Sequence, residues 1–219
     1  MSKKAIIFDL DGVIVDTAKY HYLAWKNLAN ELGFDFTEKQ NEQLKGVSRV
    51  KSLEILLSIG NTNLSNTKKD ELLIEKNKEY LEEVNQMTAD EILPGIVELL
   101  DFLEAENIKF ALGSASKNAP LILKKVGLYE RFSAIVDGND VSKAKPDPEV
   151  FLIAAEKLNR GPKNCIVFED AIAGVQAANA AGMISIGIGD KETLHEADYV
   201  FSDTSKIEID LIKKLINNK

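Results

Sequence analysis

The sequence predicts an α/β protein: a doubly wound parallel sheet with a small all-helical domain inserted after its first strand. Three observations carry this. Short apolar runs alternate with helix-period segments through most of the chain, the pattern of β-α units. The stretch from Ala18 to Gln86 holds helical patterns and no convincing strand. Several apolar runs end in polar residues, and open sheets gather such strand ends on one edge. With 219 residues and a 45% hydrophobic composition there is material for a core and a small second unit. The predicted division is a core of residues 1–15 and 88–219 and a helical insertion of residues 16–87.

The first strand is Ala5-Ile6-Ile7-Phe8, β-branched and aromatic, as expected of a strand buried on both faces. Asp9, Asp11 and Gly12 follow at once. In an extended chain Asp9 and Asp11 point to one side, and Gly12 permits a sharp departure. Asp16 or Thr17 then caps a helix to about Leu32, with Tyr20, Leu23, Ala24, Leu28 and Leu32 on one face. Further helices are expected near Ser52 to Ser58, with Ser52 as a plausible N-cap, and from Lys68 to about Val84. The latter opens with the capping-box-like pair Thr67 and Asp70.

From Leu93 the rhythm becomes helix, strand, helix, strand. Pro94 starts a helix with Ile96, Leu99, Leu100 and Leu103 inward. Ile108 to Leu112 reads as a strand ending in Gly113-Ser114-Ala115-Ser116-Lys117-Asn118. A helix from Ala119 to Val126 and a short strand Ala134 to Val136 follow. Asp147 is an N-cap and Pro148 the first position of a helix to Leu158. Cys165 to Phe168 is a strand ending in Glu169-Asp170, with a helix from Val175 to Ala181 after it. Strands Ile184 to Ile188 and Tyr199 to Phe201 complete the set.

Composition narrows the function. Asp and Glu number 35 against 27 Lys and Arg, a formal net charge of −8, which argues against a nucleic-acid or anionic-membrane surface. A phosphate ligand would need a local cluster of cations or a metal. The lone Cys165 excludes an intramolecular disulfide and fits a reducing compartment. The N-terminal stretch reads as neither a signal peptide nor a membrane span, so a cytoplasmic protein is expected. The insertion offers no obvious extra interface, and a monomer is expected.

Taken alone, Asp-x-Asp is equally a strand end capping a turn. The other strand ends change the balance. Carboxylates brought together cannot all stay ionised without compensation, and a hard divalent cation such as Mg²⁺ supplies it. One carboxylate can then act as nucleophile and a neighbour as general acid/base. Donors at the phosphoryl oxygens complete such a site, and Ser114, the following backbone N–H and a lysine near Lys145 suit that need.

Asp9-x-Asp11-Gly12-Val13, Ser114, Lys145-Pro146 and Glu169-Asp170 resemble the four motifs of the haloacid dehalogenase-like superfamily, in order and across almost the whole chain. The resemblance implies a Rossmann-like core, Asp9 as the nucleophile that becomes an aspartyl phosphate, and Asp11 as general acid/base. It makes Ser114, Ala115 through its backbone N–H, and Lys145 the binders of the transferring phosphoryl group. It implies a Mg²⁺ site of Asp9, the Asp11 carbonyl, Glu169 (directly or through water) and Asp170. The helical insertion corresponds to the cap that closes over such a site, with hinges expected near Thr17 and Met87.

A narrower match lies in Thr17-Ala18-x-x-His21, Trp25, Leu44-Lys45-Gly46-Val47-Ser48-Arg49, Lys76 and Ser114 to Asn118. These resemble the β-phosphoglucomutase family, which interconverts β-D-glucose 1-phosphate and β-D-glucose 6-phosphate through β-D-glucose 1,6-bisphosphate. The resemblance makes His21, Trp25, Gly46, Val47, Ser48, Arg49, Ser52, Lys76, Ser116, Lys117 and Asn118 candidate substrate contacts. Arg49 suits a distal phosphate. Thr17 and His21 are the expected partners that hold Asp11 back until the cap closes. The alternative is a Mg²⁺-dependent sugar-phosphate phosphatase of the same superfamily. Other readings of single residues stand beside these: Trp25 as core packing, Lys76 as a snorkelling lysine, and His195 as a solvated surface histidine.

Overall fold

The computed structural model describes residues 3–217. Strand β1 (Ala5–Phe8) leads through a tight loop into four helices, α1 (Ala18–Glu31), α2 (Glu38–Asn41), α3 (Arg49–Ile59) and α4 (Asn66–Val84). The chain continues through α5 (Ile96–Ala105), β2 (Phe110–Gly113), α6 (Ala119–Lys125), β3 (Ala134–Val136) and α7 (Glu149–Lys157). It ends with β4 (Cys165–Glu169), α8 (Ile172–Ala180), β5 (Ile184–Ile188), β6 (Tyr199–Phe201) and α9 (Ile209–Asn217). Six strands pair in the order β3-β2-β1-β4-β5-β6, every pair parallel.

This is the predicted doubly wound sheet. The chain steps outward from β1 to β3 and then crosses back to place β4 on the other side of β1. The crevice between the carboxyl ends of β1 and β4 is therefore the switch point where such sheets bind ligands. Alternate residues of each strand serve opposite faces. Ile6, Phe8, Phe110, Leu112, Ile166 and Phe168 pack under α5, α6 and α9, while Ala5, Ile7, Ala111, Cys165 and Val167 pack under α7 and α8. Phe8 pairs in register with Phe168, and their rings stack at 5.1 Å. That pairing sets the ends of β1 and β4 side by side.

Helices α1 to α4 enclose an apolar cluster of their own, built on Trp25, Leu28, Phe36, Leu44, Leu53, Leu56 and Leu72. The expected apolar face of α1 is rotated: Ala24, Trp25, Leu28 and Ala29 are buried, whereas Leu23 is 49% exposed. The outgoing and returning chain segments pair where they leave the sheet. Val15 bridges Ile92, Asp16 N–H donates to Glu91 O at 3.1 Å, and Leu93 N–H donates to Ile14 O at 3.0 Å. Tyr20 and Lys19 add bonds to the Glu91 carboxylate at 2.6 and 2.7 Å.

Several predicted boundaries move, each for a local reason. Helix α3 begins at Arg49 because Ser48 is its N-cap, accepting from Lys51 N–H, so Ser52 is not a cap. Helix α4 is capped by Ser65 rather than opened by Thr67 and Asp70. Helix α5 starts after Gly95 (φ 85°) rather than at Pro94, whose carbonyl accepts from Thr204 Oγ1. Pro148, not Asp147, holds the N-cap position of α7; Asp147 instead accepts from Glu149 N–H. Helix α2, with a capping box between Thr37 and Gln40, and helix α9 are additional to the predicted set.

Candidate active site

Asp9 is the first residue past β1, and its N–H donates to Phe168 O at 2.9 Å, which pins it beside the end of β4. Glu169 closes β4 with its side chain fully buried. Lys145, on the loop before α7, reaches across to both: its Nζ is 2.6 Å from Asp9 Oδ1 and 2.5 Å from Glu169 Oε1. Glu169 Oε2 accepts from Ala171 N–H at 2.8 Å. Burial works against the Lys145 charge, but the two carboxylates hold its pKa above the usual lysine range.

One ammonium does not neutralise this crevice. Oxygens of Asp9, Glu169 and Asp170 lie within 4.8 Å of one another. Burial, then the neighbouring carboxylates, pushes Asp170 well above the usual carboxylate range, and burial raises Glu169 as well. Buried, all-oxygen donors short of positive charge fit a hard divalent cation of the Mg²⁺ kind. The backbone is shaped to bring them together. Gly12 adopts φ 75°, and a Cβ there would overlap the Asp170 carboxylate.

Asp11 stands at the mouth of this group. Burial, then the charge of Asp9, raises its carboxyl to about 7, the range a general acid/base needs. Thr17 Oγ1 donates to Asp11 Oδ1. Thr17 occupies the N-cap position of α1 yet makes no side-chain cap bond, so its hydroxyl serves Asp11 instead of its own helix.

The helical unit faces these groups across a cavity of about 370 Å³, which also takes in every other predicted substrate contact. Lys76 is 3% exposed and no snorkelling surface lysine. Its Nζ lies 4.6 Å over the Trp25 ring, 4.8 Å over the Tyr80 ring and 2.9 Å from His21 Nδ1. Burial, then the charge of Lys76, keeps His21 well below its usual pKa, and its ring stacks on Tyr80 at 4.1 Å. Trp25 combines both roles expected of it, packing in the cap cluster while lining the cavity. Arg49 opens α3, half-buried. Ser52 Oγ donates to Ser48 O at 3.2 Å and Leu44 O at 3.5 Å, bracing the 44–48 loop. Gly46 (φ 70°) brings that loop against Ala171 of the core, where a Cβ would crowd the alanine.

After β2 the Ser114–Asn118 segment forms a ladder: Ser114 Oγ accepts from Ser116 N–H at 3.1 Å, and Ser116 Oγ from Asn118 N–H at 3.3 Å. Ser114 is buried beside the carboxylates and Lys117 is exposed at the rim. His195, as expected, is exposed and outside the cavity lining. Three residues beyond the expected contacts belong to the site: Lys45, expected only as part of the 44–49 motif, Tyr80 and Gly174. Lys45 lowers the Asp170 carboxyl against the prevailing shift, and it lay in plain view beside Gly46. Gly174 sits in α8 where a Cβ would overlap the Glu169 side chain; a glycine inside a helix was its one signal. Tyr80 sits at ordinary core spacing in α4, and no sequence feature marks its ring as the platform under His21.

Comparison with known proteins agrees with this geometry. The haloacid dehalogenase-like hydrolase profile matches residues 3–182. The chain is 45% identical to the β-phosphoglucomutase of Bacillus subtilis over 95% of its length and 93% of that protein. It is 33% identical to a phosphorylated carbohydrates phosphatase of Thermotoga maritima over 90% of this chain and 92% of that one. A crystal structure of a β-phosphoglucomutase from Clostridium difficile superposes with a TM-score of 0.94 at 44% identity, covering 99% of this chain and 98% of that one. Fold, motif order and these relatives agree: the chain belongs to the haloacid dehalogenase-like hydrolase family, among its β-phosphoglucomutases.

Proposed function

We propose that the protein interconverts β-D-glucose 1-phosphate and β-D-glucose 6-phosphate, with β-D-glucose 1,6-bisphosphate as intermediate and activator. The observation that carries this over plain hydrolysis is a second set of cationic and hydrogen-bonding groups, suited to a second phosphate, in the same cavity. Arg49 and Lys76 of the cap, with Ser116, Lys117 and Asn118 after β2, line the same cavity as Asp9 but come from other elements than the end of β1. A phosphatase acting on a monophosphate has no use for two anion sites, whereas a bisphosphate fills both.

In this reading phosphorylated Asp9 passes its phosphoryl group to the 6-hydroxyl of β-D-glucose 1-phosphate while Asp11 takes the hydroxyl proton. The bisphosphate then turns round. Asp9 attacks the phosphorus at the other end, the bond to the C1 oxygen breaks, and Asp11 returns the proton to that oxygen. Lys145 and Ser114, with the Ala115 N–H, hold the moving phosphoryl oxygens. Asp9, Glu169, Asp170 and the Asp11 carbonyl would hold Mg²⁺, which when bound offsets the charge of the phosphoryl group and carboxylates. Thr17 keeps Asp11 from activating water until substrate binds, the tether standing here beside the cap-to-core contact of Asn77 and Asn118, and closure over substrate excludes solvent. All of these groups come from one chain, and the protein is taken to act as a monomer on a small sugar phosphate, without nucleic acid or membrane. Among the described residues no helix is long and apolar enough to cross a membrane.

Arg49→Ala tests the reading. Mutase turnover is expected to fall by about 100-fold, the scale of a lost charge-assisted contact, while hydrolysis of a small monophosphate falls far less. Equal losses in both would remove the distal-phosphate role.

A further inference from the structure

Asn118 occupies the N-cap position of α6 but makes no side-chain cap bond. Asparagine at that position ordinarily caps its own helix. Here its Nδ2 donates across the cleft to Asn77 Oδ1 of α4 at 3.0 Å, and both residues are half-buried. A second contact joins the same two helices: Lys125 Nζ donates to Asn85 O at 3.0 Å, in solvent. Asn85 directly follows α4, close to the returning segment that pairs with residues 14–16. Asn77 lies eight positions earlier, about 12 Å along the helix. A rotation of the cap about the paired segments therefore moves Asn77 much farther than Asn85. Such a rotation would break the Asn77 contact and leave the Lys125 contact near the pivot.

We propose that Asn77 is a positioning residue of the cap, which latches the far lip of the closed cleft and sets the Asn118 amide for the substrate's second phosphate. The inference rests on the mutase reading, which gives the Ser116–Asn118 segment a phosphate to hold. A carboxamide nitrogen has two N–H groups. Asn77 engages one, and the other remains for a phosphate oxygen. Closure and engagement of the distal phosphate are thus joined in one side chain, with Asn77 next to Lys76, so that a single turn of α4 brings an acceptor to the core and an ammonium to the cavity.

The test is a double-mutant cycle of Asn77→Ala and Asn118→Ala. Binding of β-D-glucose 1,6-bisphosphate is followed by the fluorescence of Trp25, the single tryptophan, alongside glucose 6-phosphate formation. Alanine is a favourable helix residue, so α4 is preserved. Asn77→Ala is expected to weaken bisphosphate binding by roughly three- to tenfold, the range a neutral hydrogen bond spans. The loss should fall on the half-saturating concentration and not on the maximal rate. In the Asn118→Ala background it should change nothing further. The same loss in both backgrounds, or no loss in the parent, overturns the proposal. A parent that binds the bisphosphate but makes no glucose 6-phosphate overturns the mutase reading alone, and the binding cycle still judges the latch. A parent that does not bind the bisphosphate overturns both.

Discussion

The Lys145 ammonium lies 2.6 Å from Oδ1 of Asp9, with both side chains sealed from solvent. The same ammonium holds Glu169, so one cation neutralises part of a crowded acidic crevice and also fixes the orientation of the Asp9 carboxylate. Removing one partner of a buried pair is expensive because the other charge stays behind.

Lys145→Met keeps the bulk and removes the charge. Stability is expected to fall by about 3 kcal/mol or more, read from urea denaturation at neutral pH. Glucose 6-phosphate formation should fall by at least about 100-fold, as for other groups placed on a transferring phosphoryl oxygen. Unchanged stability would mean that the crevice carboxylates are neutral without Lys145.

Gly174→Ala reverses the usual sign of a helix substitution. In an open helix it gains about 1 kcal/mol, but here the added methyl overlaps the Glu169 side chain. The variant should be less stable than the parent, and Mg²⁺ is expected to raise its Tm by less than it raises the parent's. A more stable variant with an intact Mg²⁺ response would show that Glu169 has room to move.

Thr17→Val deletes the hydroxyl that holds Asp11 and leaves helix capping untouched, since no cap bond is present. Asp11 is then free to activate water on the phosphorylated enzyme. Phosphate released per glucose 6-phosphate formed is expected to rise several-fold, checked by counting both products in one reaction. A constant ratio would remove the tether.

Lys76 gives a pH signature. Burial, with Arg49 adding, lowers its ammonium from 10.5 to about 7. Between these values the unfolded chain binds the extra proton, so this group makes stability rise with pH. Below about 7 both states are protonated and the cost of burying the charge is present in full. The stability of Lys76→Met relative to the parent should therefore be greatest near pH 6 and decline toward about pH 10. Denaturation midpoints across that range decide it; a flat difference would mean Lys76 is an ordinary solvated lysine.

The core was legible because its signals are local. Buried strands read as β-branched and aromatic runs, and the strand-end rule then brought Asp9, Ser114, Glu169 and Asp170 to one edge without further information. Lys145 was separable from Lys143 only through its Pro146 neighbour and the family motif, since nothing local says which lysine turns inward; the structure buries Lys145 and leaves Lys143 exposed. Helix starts were less legible. Ser48, Ser52, Ser65 and Thr67 are all competent caps, and packing of the apolar faces decides which is used. The exposed Leu23 shows the same limit, for the register of α1 depends on where Trp25 finds its cavity wall. Contacts such as Asn77 to Asn118 join residues 41 apart in sequence and leave no mark in either neighbourhood.

The proposed mutase moves phosphate between two hydroxyls of one sugar rather than to water. The most direct measurement gives the purified protein Mg²⁺, β-D-glucose 1-phosphate and a trace of β-D-glucose 1,6-bisphosphate, and follows glucose 6-phosphate and free phosphate together. Rapid glucose 6-phosphate with little free phosphate is the predicted result. Free phosphate without glucose 6-phosphate would contradict it and make the enzyme a phosphatase built on the same core.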